Sequence, residues 1–244
     1  IEYNLQQAIT MSRIGSGVSS FRWLPIGFIT EGASNNIYFE HENREVYNLL
    51  AFLNSKTCEF ILKLYNPTIN IMPDDLRKLP LAYQGGNMNF EDVVKDCISL
   101  CKLDWDSFET SWDFQKHPLI RDGIDKVSVT FEAWSEECDN RFYQLKANEE
   151  KMNRFFIDIY GLQDELTSEI EDKDVTVRKA DLQRDIKSLI SYAVGCMLGR
   201  YSLDEEGLVY VGGEWDNTRY MIFLPDEDNC IPITDEEYFS DDIV

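Results

Sequence analysis

Apolar residues at Val46, Leu49, Leu50, Leu53, Phe60, Ile61 and Leu64 return at helical spacing, which predicts a helix from about Arg44 to Tyr65 with Asn54, Ser55 and Lys56 on its polar side. Pro67 ends it. Turn formers follow from Asn70 to Asp75, and Asp74 and Asp75 can cap a short turn that carries Arg77 and Lys78 before Pro80 breaks it. Upstream, Phe21 to Trp23, Phe28 to Thr30 and Ile37 to Phe39 are short aromatic or β-branched runs separated by Gly and Pro, the pattern of strands.

Beyond residue 90 the pattern turns helical. Val93, Val94, Cys97, Leu100 and Cys101 form one stripe, and Trp105, Phe108 and Trp112 form another at i, i+3, i+7, expected as core. Phe142, Leu145, Met152, Phe155, Phe156 and Ile159 predict an amphipathic helix stopped at Gly161, and Leu182 to Leu198 predict a second stopped at Gly199. The mixed-charge connector Glu169 to Lys179 reads as a solvated turn, and alternation around Gly212-Gly213 from Leu208 to Leu224 predicts a small hairpin. The expected fold class is therefore α+β. A mixed α/β domain over 1–88 is followed by a helical domain over 89–203, then a hairpin and acidic segment over 204–244, with Gly85-Gly86-Asn87 as the linker.

With 244 residues, 43% of them hydrophobic, the chain can bury a substantial core. It has no run of eighteen apolar residues and no signal-peptide pattern at its start, so a cytoplasmic protein with no membrane contact is expected. The six cysteines are scattered and are expected as thiols, because no Cys-x-x-Cys pair or neighbouring His completes a zinc tetrad. A net charge of −22 opposes a polyanionic partner, but its distribution is uneven. Residues 1–100 carry 8 basic and 11 acidic groups, whereas 201–244 carry 1 and 13. A cationic patch can still form on the first hundred residues, whereas the acidic tail cannot be the face that meets a polyanion such as DNA.

Catalytic chemistry finds little footing. His41 and His117 lie in no ligand-spaced cluster, no phosphate-binding G-x-x-x-x-G-K-[ST] loop occurs, and Gly15-Ser16-Gly17 lacks a third glycine. Neither a catalytic residue nor a metal ligand is predicted. The best candidate for a polyanion surface is SRIGSGVSSFRW, where Arg13 and Arg22 flank Ser16, Ser19 and Ser20 and the glycines let backbone approach a phosphate. A loop with two surface arginines is the plainer reading, and pattern alone favours it.

The segments SSFRWLPIGFI, LLAFLNSKTCEFILKLYNPTINIMPDDLRKLPL, DWDSFETSWDFQKHPLI, NEEKMNRFFIDIYGLQDEL and DKDVTVRKADLQRDIKSLISYAVGCMLGRYSLDEEGL, in this order, resemble the C-terminal half of PglX-type proteins. These are adenine-specific DNA methyltransferases of BREX phage-defence systems, related to type II enzymes that fuse methyltransferase and specificity regions. The resemblance implies that residues 1–88 form a target-recognition domain for double-stranded DNA, with Ser16, Ser19, Ser20, Arg22, Asn70, Arg77 and Lys78 in the matching segments. It also implies a helical spacer that docks on the methyltransferase domain or on other defence proteins. The family's [N/D/S]-P-P-[Y/F/W] motif and the Gly-rich turn for S-adenosylmethionine are not in this sequence; Asn66-Pro67-Thr68-Ile69 lacks the second Pro and the aromatic. The cofactor is accordingly expected in an N-terminal domain outside this chain, and no cofactor within it. An acidic protein-interaction module or DNA mimic is the competing class, argued against by the clustering of charge in one tail.

Overall fold

The computed structural model describes residues 5–15, 20–82 and 88–227. The glycine linker at 85–87, Cys230 and the acidic end therefore lie outside the described residues. In order, the elements are β1 (Ala8–Ser12), β2 (Phe21–Leu24), β3 (Ser34–Tyr38), α1 (Arg44–Leu53), α2 (Lys56–Tyr65), α3 (Pro73–Arg77), α4 (Glu91–Asp106), α5 (Val127–Tyr160) and α6 (Leu182–Met197). The class is α+β, as the patterning implies. The chain divides into two compact units that interleave along the sequence, Ile1–Leu100 with Tyr143–Thr176, and Cys101–Phe142 with Val177–Val244.

The first unit is built on an antiparallel sheet of order β2-β1-β3. Its central strand, β1, is a run that the strand pattern does not single out, and Phe28 to Thr30 forms no strand. Register places Ile9 between Trp23 and Ile37, and Met11 between Phe21 and Asn35, so these residues share one face. That face joins α1, α2 and the Met152–Phe156 turn of α5 in one core, where Phe52, Phe156 and Cys58 are fully buried. The opposite face presents a polar row, Arg22, Thr10 and Asn36.

The helix expected over Arg44–Tyr65 is two helices. The Ser55 hydroxyl accepts the Cys58 N–H at 3.2 Å, an N-cap that starts α2, and donates to the Phe52 carbonyl at 2.6 Å. Asn54 turns outward from the end of α1 to β2. Its Oδ1 accepts the Phe21 N–H and its Nδ2 donates to the Phe21 carbonyl, both at 2.9 Å. The side-chain amide thus does what a neighbouring strand would do at the free edge of β2. The next N–H, that of Lys56, donates to buried Asn153 of α5 at 2.9 Å. These polar residues are the junction of the unit, not a solvated stripe; Ser55 is buried.

The second unit holds two smaller cores. One packs Phe108, Leu119, Trp134 and Cys138, and the other packs Phe114, Tyr192, Cys196 and Tyr201. Gly195 is required on α6 because a Cβ there would meet the Tyr201 ring at 2.6 Å, and this approach lets Tyr201 stack on Tyr192 at 5.0 Å. Buried Asp185 accepts the Trp134 indole N–H at 3.0 Å and an Arg184 N–H at 2.6 Å. Arg178 donates to buried Asp104 at 3.0 Å and lies 3.8 Å over the Phe108 ring. Arg178 and buried Val177 correct the reading of 169–179 as a solvated turn, since the second half of that connector is interior packing.

Two further expectations change. Helix α4 ends at Asp106, so Trp105, Phe108 and Trp112 do not form one helical stripe; of the three only Phe108 is core, while Trp105 is half exposed and Trp112 is 99% exposed. No hairpin forms between Leu208 and Leu224. There, Arg219 donates to the Val209 carbonyl at 2.7 Å, and Asp204 accepts the Met221 and Ile222 N–H groups at 2.7 and 2.9 Å. Side chains take the bonds that a strand partner would have made. The helix stops at Gly161 and Gly199 occur as expected, with φ of 66° and 73°.

Asn54→Ala should destabilise the first unit by about 1–3 kcal/mol, because two backbone groups of Phe21 lose their partners. Urea unfolding of the two proteins measures it. In the second unit, His117 is 1% exposed, its Nδ1 accepting the Leu119 N–H at 3.3 Å. Burial pulls its pKa from 6.5 to about 4, against the opposing pull of Asp185. The unfolded chain therefore takes up a proton near pH 6.5 that the folded unit refuses until about pH 4. Stability should fall through that window as pH drops, by up to about 3 kcal/mol. Urea midpoints at several pH values should show this slope flattened in His117→Gln.

Candidate nucleic-acid interface

Past Ser12, the backbone of β1 continues against the loop that follows α2. Gly15 donates its N–H to the Ile69 carbonyl at 3.1 Å, and Ile71 donates to the Arg13 carbonyl at 3.0 Å, which closes a bridge between Ile14 and Asn70. Buried Asn35 of β3 adds a bond from its Nδ2 to the Ile71 carbonyl at 2.7 Å. Two stretches separated by some fifty positions are thereby brought side by side. They form opposite walls of a groove of about 240 Å³, Ser12 to Gly15 with Ser20 on one side, and Glu59, Leu62, Lys63, Asn66, Thr68, Ile69 and Ile71 on the other.

The second wall is held in shape by Asn66, the residue that ends α2. Its Oδ1 accepts from the Thr68 N–H at 3.0 Å and the Thr68 hydroxyl at 2.6 Å, a side-chain turn that Pro67 favours. Its Nδ2 donates to the Asn70 carbonyl at 2.8 Å and to Asp75 Oδ2 at 2.7 Å. Asp75 is buried near the start of α3 and also accepts the Met72 N–H at 2.9 Å. That backbone bond, followed by the one from Asn66, holds its carboxyl below the usual range, so it stays ionised as the anchor of the loop. The near-miss Asn66-Pro67-Thr68-Ile69 is thus an ordered helix-ending turn.

The candidate residues fare differently. Arg13 and Ser20 line the groove. Arg13 donates to the Gly32 carbonyl at 3.3 Å and toward the Met72 sulfur at 3.2 Å, and among the described residues it has no carboxylate partner. Arg22 is exposed on the polar face of the sheet, donating to the Ser20 hydroxyl at 3.4 Å, likewise with no described carboxylate partner. Both guanidiniums keep their charge available. Arg77 is bound to Asp74 at 2.6 Å and Lys78 lies 4.0 Å from Asp75, so their positive charge is partly cancelled locally, and neither lines the groove. Asn70 is exposed and takes part through its backbone bridge. Ser16 and Ser19 lie outside the described residues.

Lys63, Asn66 and Thr68 belong to the groove but were not named as DNA contacts from the sequence. Lys63 sat on a helix face with its Glu59 partner one turn away, and Asn66 and Thr68 looked only like punctuation. The spacing of Asn-Pro-Thr was their available signal. Exposed Ile14 and Ile69, 64% and 61% accessible, give the groove an apolar lip. Among the described residues no group of three or more His, Cys, Asp or Glu could hold a metal ion, and no helix is long and apolar enough to cross a membrane.

No family model matches the chain. Over 248 residues it is 44% identical to the adenine-specific methyltransferase PglX of Lacticaseibacillus casei (strain Zhang), a match that covers 99% of the chain and 20% of that protein. It is 32% identical over 264 residues to the adenine-specific methyltransferase BrxX of Escherichia coli O9:H4 (strain HS), covering 98% of the chain and 21% of the relative. The resemblance to PglX-type proteins seen in the sequence is borne out. The chain spans about a fifth of the length of these curated relatives.

Asn66→Ala should loosen the groove without unfolding the unit. Amide exchange at Thr68 and Met72 should quicken by roughly tenfold or more, the equivalent of about 1.4 kcal/mol of lost local protection, while the amides of α1 keep theirs. Hydrogen-exchange mass spectrometry reads both.

Proposed function

We propose that this chain is a DNA target-recognition and docking segment of a PglX-type adenine-specific DNA methyltransferase. The observation that carries the reading is the groove walled by Ser12 to Gly15 with Ser20 and, opposite, by residues from Glu59 to Ile71, with Arg13 in its wall and Arg22 bonded to Ser20, neither guanidinium paired with a described carboxylate. Arginine binds phosphate bidentately and reads guanine edges, and the hydroxyls of Ser12, Ser20 and Thr68 suit base or phosphate contacts. Arg13 and Arg22 are the primary contacts in this reading. Arg77 and Lys78 become secondary ones, because an ion pair must open before either can meet a phosphate.

Methyl transfer is assigned elsewhere in the parent protein, since the adenine-holding and S-adenosylmethionine-binding motifs of the family are not in this sequence. A flipped adenine needs a positioned acceptor and a stacked aromatic, and Asn66-Pro67-Thr68-Ile69 supplies no aromatic while its Asn side chain is fully engaged in its own loop. Charge sets the strength of binding. The first unit carries 12 basic against 20 acidic groups, so a few local cations act within an unfavourable field. Binding by the chain alone is therefore weak and steeply salt-dependent, and the parent's other regions supply the rest.

Fluorescence anisotropy of the chain with pooled random duplexes tests this between about 50 and 200 mM salt. Arg13→Ala and Arg22→Ala should each weaken binding roughly three- to tenfold and make the salt slope shallower by about one unit. Arg77→Ala should change it less than twofold, about the limit expected for an exposed paired charge. Equal losses for all three, or none for the first two, would place the DNA face elsewhere.

A further inference from the structure

The second unit carries a larger concavity, about 520 Å³, walled by Glu109, Trp112, Phe114, Arg200, Tyr201 and Tyr210. Its rim is unusually apolar. Trp112 is 99% exposed, and Leu208 and Val211, which also line it, are 53% and 78% exposed. An indole held wholly in water on an ordered turn, beside two more exposed aliphatic side chains, is the composition of an interaction site. In its wall, the Glu109 carboxylate accepts from the Tyr201 hydroxyl, while its Oε1 is buried and has no hydrogen-bond partner among the described residues. A buried carboxylate oxygen left this way is costly until a donor arrives.

The sign of the charge selects the occupant. This unit bears 25 acidic and 11 basic groups, so its field repels anions. Arg200, the cation in the pocket wall, is engaged with the Tyr201 hydroxyl. Aromatic faces attract cations, and the open acceptor demands a donor. We propose that this pocket docks a basic, apolar-flanked protein segment, whose Lys or Arg side chain donates to Glu109 beside Trp112 and Tyr210 while its apolar neighbours cover Trp112, Leu208 and Val211. The site is independent of the groove in the first unit. It stands or falls without the DNA reading.

The test uses the chain and a fluorescein-labelled amphipathic peptide of Leu and Lys, with two comparison peptides, one with Glu in place of Lys and one with Ser in place of Leu. The Leu/Lys peptide should bind, and both others should bind at least roughly tenfold more weakly, the scale of one lost anchor. Trp112→Ala should weaken Leu/Lys binding by roughly tenfold, and Glu109→Gln by several-fold, with circular dichroism unchanged. Trp112 makes no buried contact to lose, so its removal spares the fold. Unaltered binding in Trp112→Ala would reduce the effect to diffuse attraction by an acidic protein and overturn the proposal. So would displacement of the peptide by a single-stranded oligonucleotide, or a Trp112-dependent dimer in sedimentation, since the occupant would then be nucleic acid or a second copy.

Discussion

The first unit hangs on the two residues between α1 and α2. Asn54 and Ser55 interrupt a run whose apolar spacing would carry one helix through, and in doing so they connect three layers. Asn54 closes the free edge of β2 at Phe21, Ser55 caps the new helix, and the following N–H reaches Asn153 on α5. A backbone edge left open under a sheet is both costly and adhesive, so filling it with a side-chain amide satisfies a desolvation constraint and sets where α1 ends. Because α2 begins at that point, its last residue, Asn66, falls where it can order the loop that meets β1. The groove is a downstream consequence of the break.

Electrostatics divides the chain more sharply than its fold does. In the second unit, half-buried cations meet buried carboxylates: Arg178 over Phe108 and against Asp104, Arg184 against Asp185. Each is a paired, hydrogen-bonded charge, the form in which buried ions are tolerated. In the first unit, Arg13 and Arg22 bond only neutral oxygens or sulfur among the described groups. Arg13 and Arg22 differ in this from Arg77, whose charge Asp74 meets. A bulk net charge, dominated by the acidic end, averages that difference away.

Helix stops at Gly161 and Gly199 were legible because a left-handed residue at a helix end is a local requirement that glycine meets almost alone. The strand at Phe21 was legible from its aromatic and branched content. The strand at Ala8–Ser12 was not, since its identity as the central strand rests on pairing with two partners on either side. The periodic aromatics at Trp105, Phe108 and Trp112 misled for a related reason. Periodicity assumes one continuing helix, and α4 ends at Asp106, after which the chain turns and swings Trp112 into water. Alternation from Leu208 to Leu224 failed likewise, because Asp204 and Arg219 captured the backbone groups that a ladder would have used. At the groove, Arg13, Ser20 and Arg22 were visible as residue types suited to a polyanion, whereas Lys63, Asn66 and Thr68 were visible only as helix surface and punctuation.

By itself the sequence determined the α+β class, most helix ends, the kinship with PglX-type methyltransferases and the chemical character of the Ser12–Trp23 segment. These depend on short-range sterics, on hydrophobic period and on extended similarity in order. Tertiary structure alone decided which residues share a surface. The bridge of Ile14 to Asn70 joins segments far apart in the chain, and nearby carboxylates partly offset Arg77 and Lys78 while Arg13 and Arg22 have no described carboxylate partner. Charge availability and concavity are properties of neighbours in space, and spacing along a chain does not encode them.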